Sequence, residues 1–109
     1  MKKILRYYLT AKGKSPFVTW LKKIKDHTVQ ARIERRLERM ELNNYGDHKP
    51  VGEGVYELRL DFGPGYRVYF GEFDKTIVIL LCGGDKSTQA KDIELAKQYW
   101  RELRGEHHE

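Results

Sequence analysis

The spacing of apolar positions changes along the chain, and each change marks an element. Residues 4–9, rich in Ile, Leu and Tyr, read as a first strand. A polar loop containing Gly13 follows at 11–14. Ser15 then offers an acceptor for free amides and Pro16 a preset φ, a pairing that opens a helix. Phe17, Trp20, Leu21 and Ile24 recur at the spacing of one helical face. Asp26 or Thr28 can cap a second helix with Val29, Ile33, Leu37 and Met40 on its apolar face, ending at 43–46. So short a connection makes the pair a helical hairpin.

Further on, the period drops to two. Residues 55–61 and 66–71 read as strands, joined by the turn 62–65, where Pro64-Gly65 suits a type II turn. A second turn is expected around Asp74 and Lys75. The run 76–82, TIVILLC, is apolar without alternation and predicts a central strand buried on both faces, broken by Gly83-Gly84. Ser87 or Thr88 can cap a final helix with Ile93, Ala96, Trp100 and Leu103 turned inward. The predicted order is β-α-α-β-β-β-α. This is an α+β fold with a mainly antiparallel sheet, an N-terminal helical hairpin and a C-terminal helix. Residues 1–103 are expected to form a single domain and 104–109 a polar tail.

Composition narrows the picture. A length of 109 residues suits one compact domain, and seven Tyr, four Phe and two Trp argue against disorder. Trp20 and Trp100 fall on apolar faces and read as core. Lys plus Arg number 21 against 16 Asp plus Glu, a net charge of +5, which suits a polyanionic partner or simply a soluble basic surface. The second helix carries Arg32, Arg35, Arg36 and Arg39 together with Glu34 and Glu38. That mixture fits phosphate contacts, and fits better a solvated face laced with i, i+4 pairs. The single cysteine, Cys82, permits no internal disulfide and reads as a buried thiol. The four His are scattered without ligand spacing, so neither a metal nor a cofactor is expected. No apolar run approaches the roughly 18 residues of a membrane span. The N-terminus turns polar too early for a signal peptide. A cytoplasmic protein without membrane contact is expected.

Alternation places Glu57, Arg59 and Asp61 on one face of their strand, and Arg67 and Tyr69 on one face of the next. A tight hairpin can bring Glu57, Arg59, Arg67 and Tyr69 into one patch. A carboxylate among guanidiniums suits RNA cleavage: a base takes the 2′-hydroxyl proton, and cations hold the charge growing on the phosphate. With the 2′-hydroxyl as nucleophile no metal is needed. Cross-strand Glu–Arg pairs are equally ordinary stabilisers of a solvated face. The GGDKS segment is a phosphate-contacting loop or a capped strand-to-helix turn. It lacks the order of residues a P-loop requires.

The run GVYELRLDFGPGYRVYFGEFDKTIVILLCGGDKSTQAKDIELAKQYW resembles the C-terminal half of addiction-module killer proteins, the phage-derived, HigB-like branch of the RelE/ParE toxin superfamily. The first strand and the Trp-containing first helix fit as well. The resemblance implies a toxin of a type II toxin–antitoxin system: a metal-independent, ribosome-dependent mRNA endoribonuclease. Its implied partners are ribosome and mRNA, and a cognate helix-turn-helix antitoxin through whose complex alone it would meet operator DNA. Carried over by position, the implied catalytic set is Glu57 and Arg59 of the YELR motif, Arg67 of GYR as the phosphate-stabilising residue, and Asp85 and Lys86 after the third strand. Glu57 would serve as general base, or else orient the arginines; in RelE the matching position is basic. The general acid is unassigned, since Tyr99 matches poorly and His107 and His108 lie in the tail. The superfamily also holds ParE-like gyrase inhibitors, so that activity and a non-catalytic binding module stay open.

Overall fold

The structure, a computed structural model, describes residues 2–105. Strand β1 (Ile4–Tyr7) leads to helices α1 (Pro16–Lys23) and α2 (His27–Glu41). Strands β2 (His48–Gly52), β3 (Val55–Leu60), β4 (Tyr66–Phe73) and β5 (Ile77–Gly84) follow, then a 3-10 turn (Lys86–Thr88) and helix α3 (Gln89–Leu103). The sheet order is β1-β5-β4-β3-β2, with only β1 and β5 parallel. The α+β class, the mainly antiparallel sheet, the hairpin and the terminal helix are as the pattern predicted.

Each helix start has a chemical cause. Ser15 accepts from the Val18 amide (3.1 Å), and Pro16 occupies the first turn. Asp26, of the two candidates, caps α2 by accepting from the Thr28 amide (2.9 Å). The hairpin covers one face of the sheet, where Phe17, Ile33, Leu37 and Met40 pack on Leu58, Leu60, Val68, Phe70, Val78 and Leu80. Helix α3 covers the other face with Ala96 and Trp100 on Val55, Tyr69, Ile79, Leu81 and Cys82. The apolar β5 therefore serves two cores, as its sequence required.

Four expectations need correction. Strand β2 is additional, and the order is β-α-α-β-β-β-β-α; its sequence HKPVG lacks alternation, and Pro50 is tolerated because β2 is an edge. Gly83 and Gly84 do not break β5 but extend it, because Trp20 packs against one and the Asp92 carboxylate against the other where a Cβ would have no room. The turn after β3 spans 62–65 and holds Gly65 at positive φ (+81°) as expected, but the bond from Gly65 N to Phe62 O (3.1 Å) makes Gly63-Pro64 its central pair, with Gly63 at φ +58°. Leu103 is exposed rather than inward, at the last turn of α3. Residues 106–109 of the expected tail, His107 and His108 among them, lie outside the described residues. Among the described residues no helix is long and apolar enough to cross a membrane.

Candidate functional site

The β3–β4 hairpin sets the site through its register. Glu57 pairs with Tyr69 and Arg59 with Arg67, so all four side chains leave the same face, as the alternation predicted. One strand further, Arg67 is level with Gly84 and Tyr69 with Cys82. The bulge between Tyr69 and Phe70 in the β4–β5 ladder leaves Leu81 as the extra residue, which keeps Leu81 and Cys82 both in the α3-side core.

The face is not the open, solvated surface that the alternation suggested. Helix α3 lies over it, and Glu57 is wholly buried while Arg67 is 7% exposed. Glu57 Oε2 accepts from the Tyr69 hydroxyl (3.0 Å) and from Gln89 Nε2 (2.7 Å) and lies 3.9 Å from Arg67 Nε. Arg67 Nη1 donates to the Gly65 and Tyr66 carbonyls (3.2 and 3.1 Å). Glu57 Oε1 and Arg67 Nε have no hydrogen-bond partner among the described residues. Buried polar atoms left unsatisfied are rare, and two of the three among the described residues meet here, which marks a polar site within an otherwise apolar layer. Burial, then the charge and hydrogen bond of Glu57, raise the Tyr69 phenol far above its ordinary range. Tyr69 is therefore a neutral donor to Glu57 at physiological pH.

The remaining predicted residues lie around this pair at different depths. Arg59, about a third exposed, turns to Asp47, with Nη2 3.2 Å and Nε 3.3 Å from Oδ1, and no ion pair joins it to Glu57 among the described residues. Lys86 lies across the backbone of Gly65, whose φ of +81° and missing Cβ leave room for the lysine stem. Lys86 and Arg67 thus converge on one peptide of the β3–β4 turn. Asp85 caps the 3-10 turn, accepting from the amide (2.8 Å) and hydroxyl (2.6 Å) of Ser87. Of the two residues expected to cap the final helix, Ser87 lies within the 3-10 turn, and Thr88 occupies the N-cap position of α3 but makes no side-chain cap and bonds Asp92 instead (2.5 Å). Burial of Asp92, and secondarily Asp85 nearby, raise the Asp92 pKa against the lowering effect of the Thr88 bond.

Gln89 was not singled out by the sequence, yet it closes the Glu57 site from above. Its signal was its place at the start of the last helix, which acquires meaning only once α3 crosses β3. Cys82 is the buried thiol expected, pushed up to about 12 mainly by desolvation, and unreactive as a nucleophile.

A mainly antiparallel sheet with a helical hairpin on one face, a terminal helix on the other and guanidiniums gathered at the β3–β4 turn is compatible with a RelE-like fold. A model of the family described as phage-derived protein Gp49-like matches residues 19–101. An uncharacterized protein of Haemophilus influenzae is 51% identical over 87 residues, 80% of this chain and 88% of that protein. The chain belongs to the phage-derived Gp49-like family, a family of addiction-module killer, RelE-like proteins.

Proposed function

We propose that the protein is the toxin of a type II toxin–antitoxin pair, of the HigB-like branch, and cuts mRNA on the ribosome in the cytoplasm. The observation that carries this reading is the Glu57–Arg67 pair beside the β3–β4 turn, with Lys86 and Arg59 flanking it. The chemistry is internal transfer: the 2′-hydroxyl oxygen attacks the adjacent phosphorus as its proton passes to solvent, the P–O5′ bond breaks, and the leaving O5′ takes a proton from solvent, giving a cyclic phosphate and a 5′-hydroxyl. No metal need supply the nucleophile. Arg67 would hold the charge growing on the phosphate through Nη2, since Nη1 is bonded to the Gly65 and Tyr66 carbonyls and Nε faces Glu57. Lys86 and Arg59 would neutralise flanking phosphates. The enclosure of Glu57 favours the orienting role over the base role, because a carboxylate wholly buried under α3, with Oε2 taken by Tyr69 and Gln89, has no open path to a 2′-hydroxyl. Asp85 would contribute by fixing the turn that presents Lys86.

The partner expected to silence the protein is a cognate helix-turn-helix antitoxin, through which alone the pair would contact operator DNA. Inducing this chain by itself in a bacterium, with RNA ends mapped, tests the proposal. Arrest of growth with cuts phased to the reading frame is the expected outcome. DNA damage with intact message would replace this reading with gyrase inhibition, and normal growth would remove the toxin reading altogether.

A further inference from the structure

Helix α2 carries a charge arrangement that the proposed chemistry leaves unused. Arg32, Arg35, Arg36 and Arg39 recur at i, i+3, i+4 and i+7 and form one flank beside the apolar face. Glu34, Glu38 and Glu41 form the opposite flank. Interlaced i, i+4 ion pairs were the favoured expectation for this helix, yet among the described residues no ion pair joins the two sets. The charges are segregated, not paired.

The arginine flank faces the β3–β4 turn. Leu60, Asp61 and Phe62 complete a cleft of about 250 Å³ with the four arginines. The Arg32 guanidinium lies 3.7 Å from the centroid of the Phe62 ring, a cation–π contact that fixes the plane of an exposed fork. Arg36 has a different task. Its half-buried guanidinium donates to the carbonyls of Arg59 (2.8 Å), Tyr45 (3.1 Å) and Asp47 (3.1 Å), and ties α2 to β3. Burial first, and the Arg39 charge second, lower its pKa against the opposing pull of Asp47. Arg32, Arg35 and Arg39 remain exposed and without ion pairs among the described residues, and Asp61 is the only carboxylate in the cleft wall.

We propose that Arg32, Arg35 and Arg39, with Phe62, form a docking surface for the phosphate backbone of ribosomal RNA, distinct from the Arg67 cluster. The inference rests on the ribosome-dependent reading above. Three exposed forks spread along about 10 Å of helix match a strand presenting several phosphates over that length. Arginine beside an aromatic ring also suits a base stacked next to its own phosphate. The two basic sites border the β3–β4 turn from opposite faces of the sheet, linked by the bond from Arg36 to the Arg59 carbonyl. RNA held on the α2 flank would therefore orient the catalytic patch without occupying it.

The test is titration of the fluorescently labelled full chain with vacant bacterial 70S ribosomes over a range of salt. The triple variant Arg32→Ala, Arg35→Ala, Arg39→Ala should bind about tenfold or more weakly near physiological salt, with the slope of log affinity against log salt flatter by about 2–3. The control triple Lys12→Ala, Lys14→Ala, Lys25→Ala removes the same charge from exposed positions elsewhere and should stay within about threefold of wild type. Melting curves matching the wild type for both triples fix the loss on binding. An arginine triple that binds like wild type, a lysine triple that loses as much, or a wild type that does not bind would each overturn the surface. Cleavage of message on translating ribosomes by the wild type judges the reading separately. Cleavage together with an indifferent arginine triple removes only this surface; arginine-dependent binding without cleavage removes only the nuclease reading.

Discussion

Glu57 is where sequence and structure diverge most at the level of single residues. Its neighbours in the face were legible, because alternation in two strands and a four-residue turn fix which side chains share a side. Its burial was not, because that depends on a helix thirty residues away crossing β3. A buried carboxylate held by a neutral phenol and an amide, 3.9 Å from Arg67 Nε, is arranged to position its neighbours. Glu57→Gln should therefore keep most of the single-turnover rate on ribosomes and leave the pH–rate profile unchanged. Glu57→Ala should lose activity and stability together, since an uncompensated buried Arg67 costs about 3–5 kcal/mol. A fall of about a hundredfold or more in Glu57→Gln, with the acidic limb of the profile gone, would return Glu57 to the role of base.

Among the elements, the hairpin and the terminal helix announced themselves through period and caps, while β2 did not. A five-residue edge strand with exposed Lys49 and Pro50 carries no alternation to read, and only its ladder to β3 defines it. The β5–α3 junction is half legible: GGDKS reads as either a phosphate loop or a capped turn, and Asp85 caps the 3-10 turn. Both uses can coexist, since the cap fixes the turn that carries Lys86 over Gly65. Asp85→Ala should lower stability by about 1 kcal/mol through the lost cap, read as a drop in Tm, and activity with it. Asp85→Asn keeps an acceptor at the same place and should restore both. Normal stability but lost activity in Asp85→Asn would instead mean that the charge itself takes part in the reaction.

Over the whole molecule, the net charge of +5 is distributed unevenly. The sheet separates two apolar layers, and the β3–β4 turn is the place where basic groups from both layers come together: Arg67 and Lys86 on the α3 side, the α2 arginines on the hairpin side. Composition alone gave the sign of the partner's charge but not this convergence, because it joins residues 32–39 to residues 59–86 through tertiary contacts. Membership of the Gp49-like family rests on most of the chain, and the toxin reading is the activity that this convergence fits. The most direct measurement of that claim is single-turnover cleavage of message on translating ribosomes by the wild type and by folded Arg67→Ala. Loss of a group that stabilises the transition-state phosphate should slow the cut by about a hundredfold to a thousandfold, with Arg67→Lys recovering little because it lacks the planar fork. A folded Arg67→Ala protein that cuts at the wild-type rate would contradict the account.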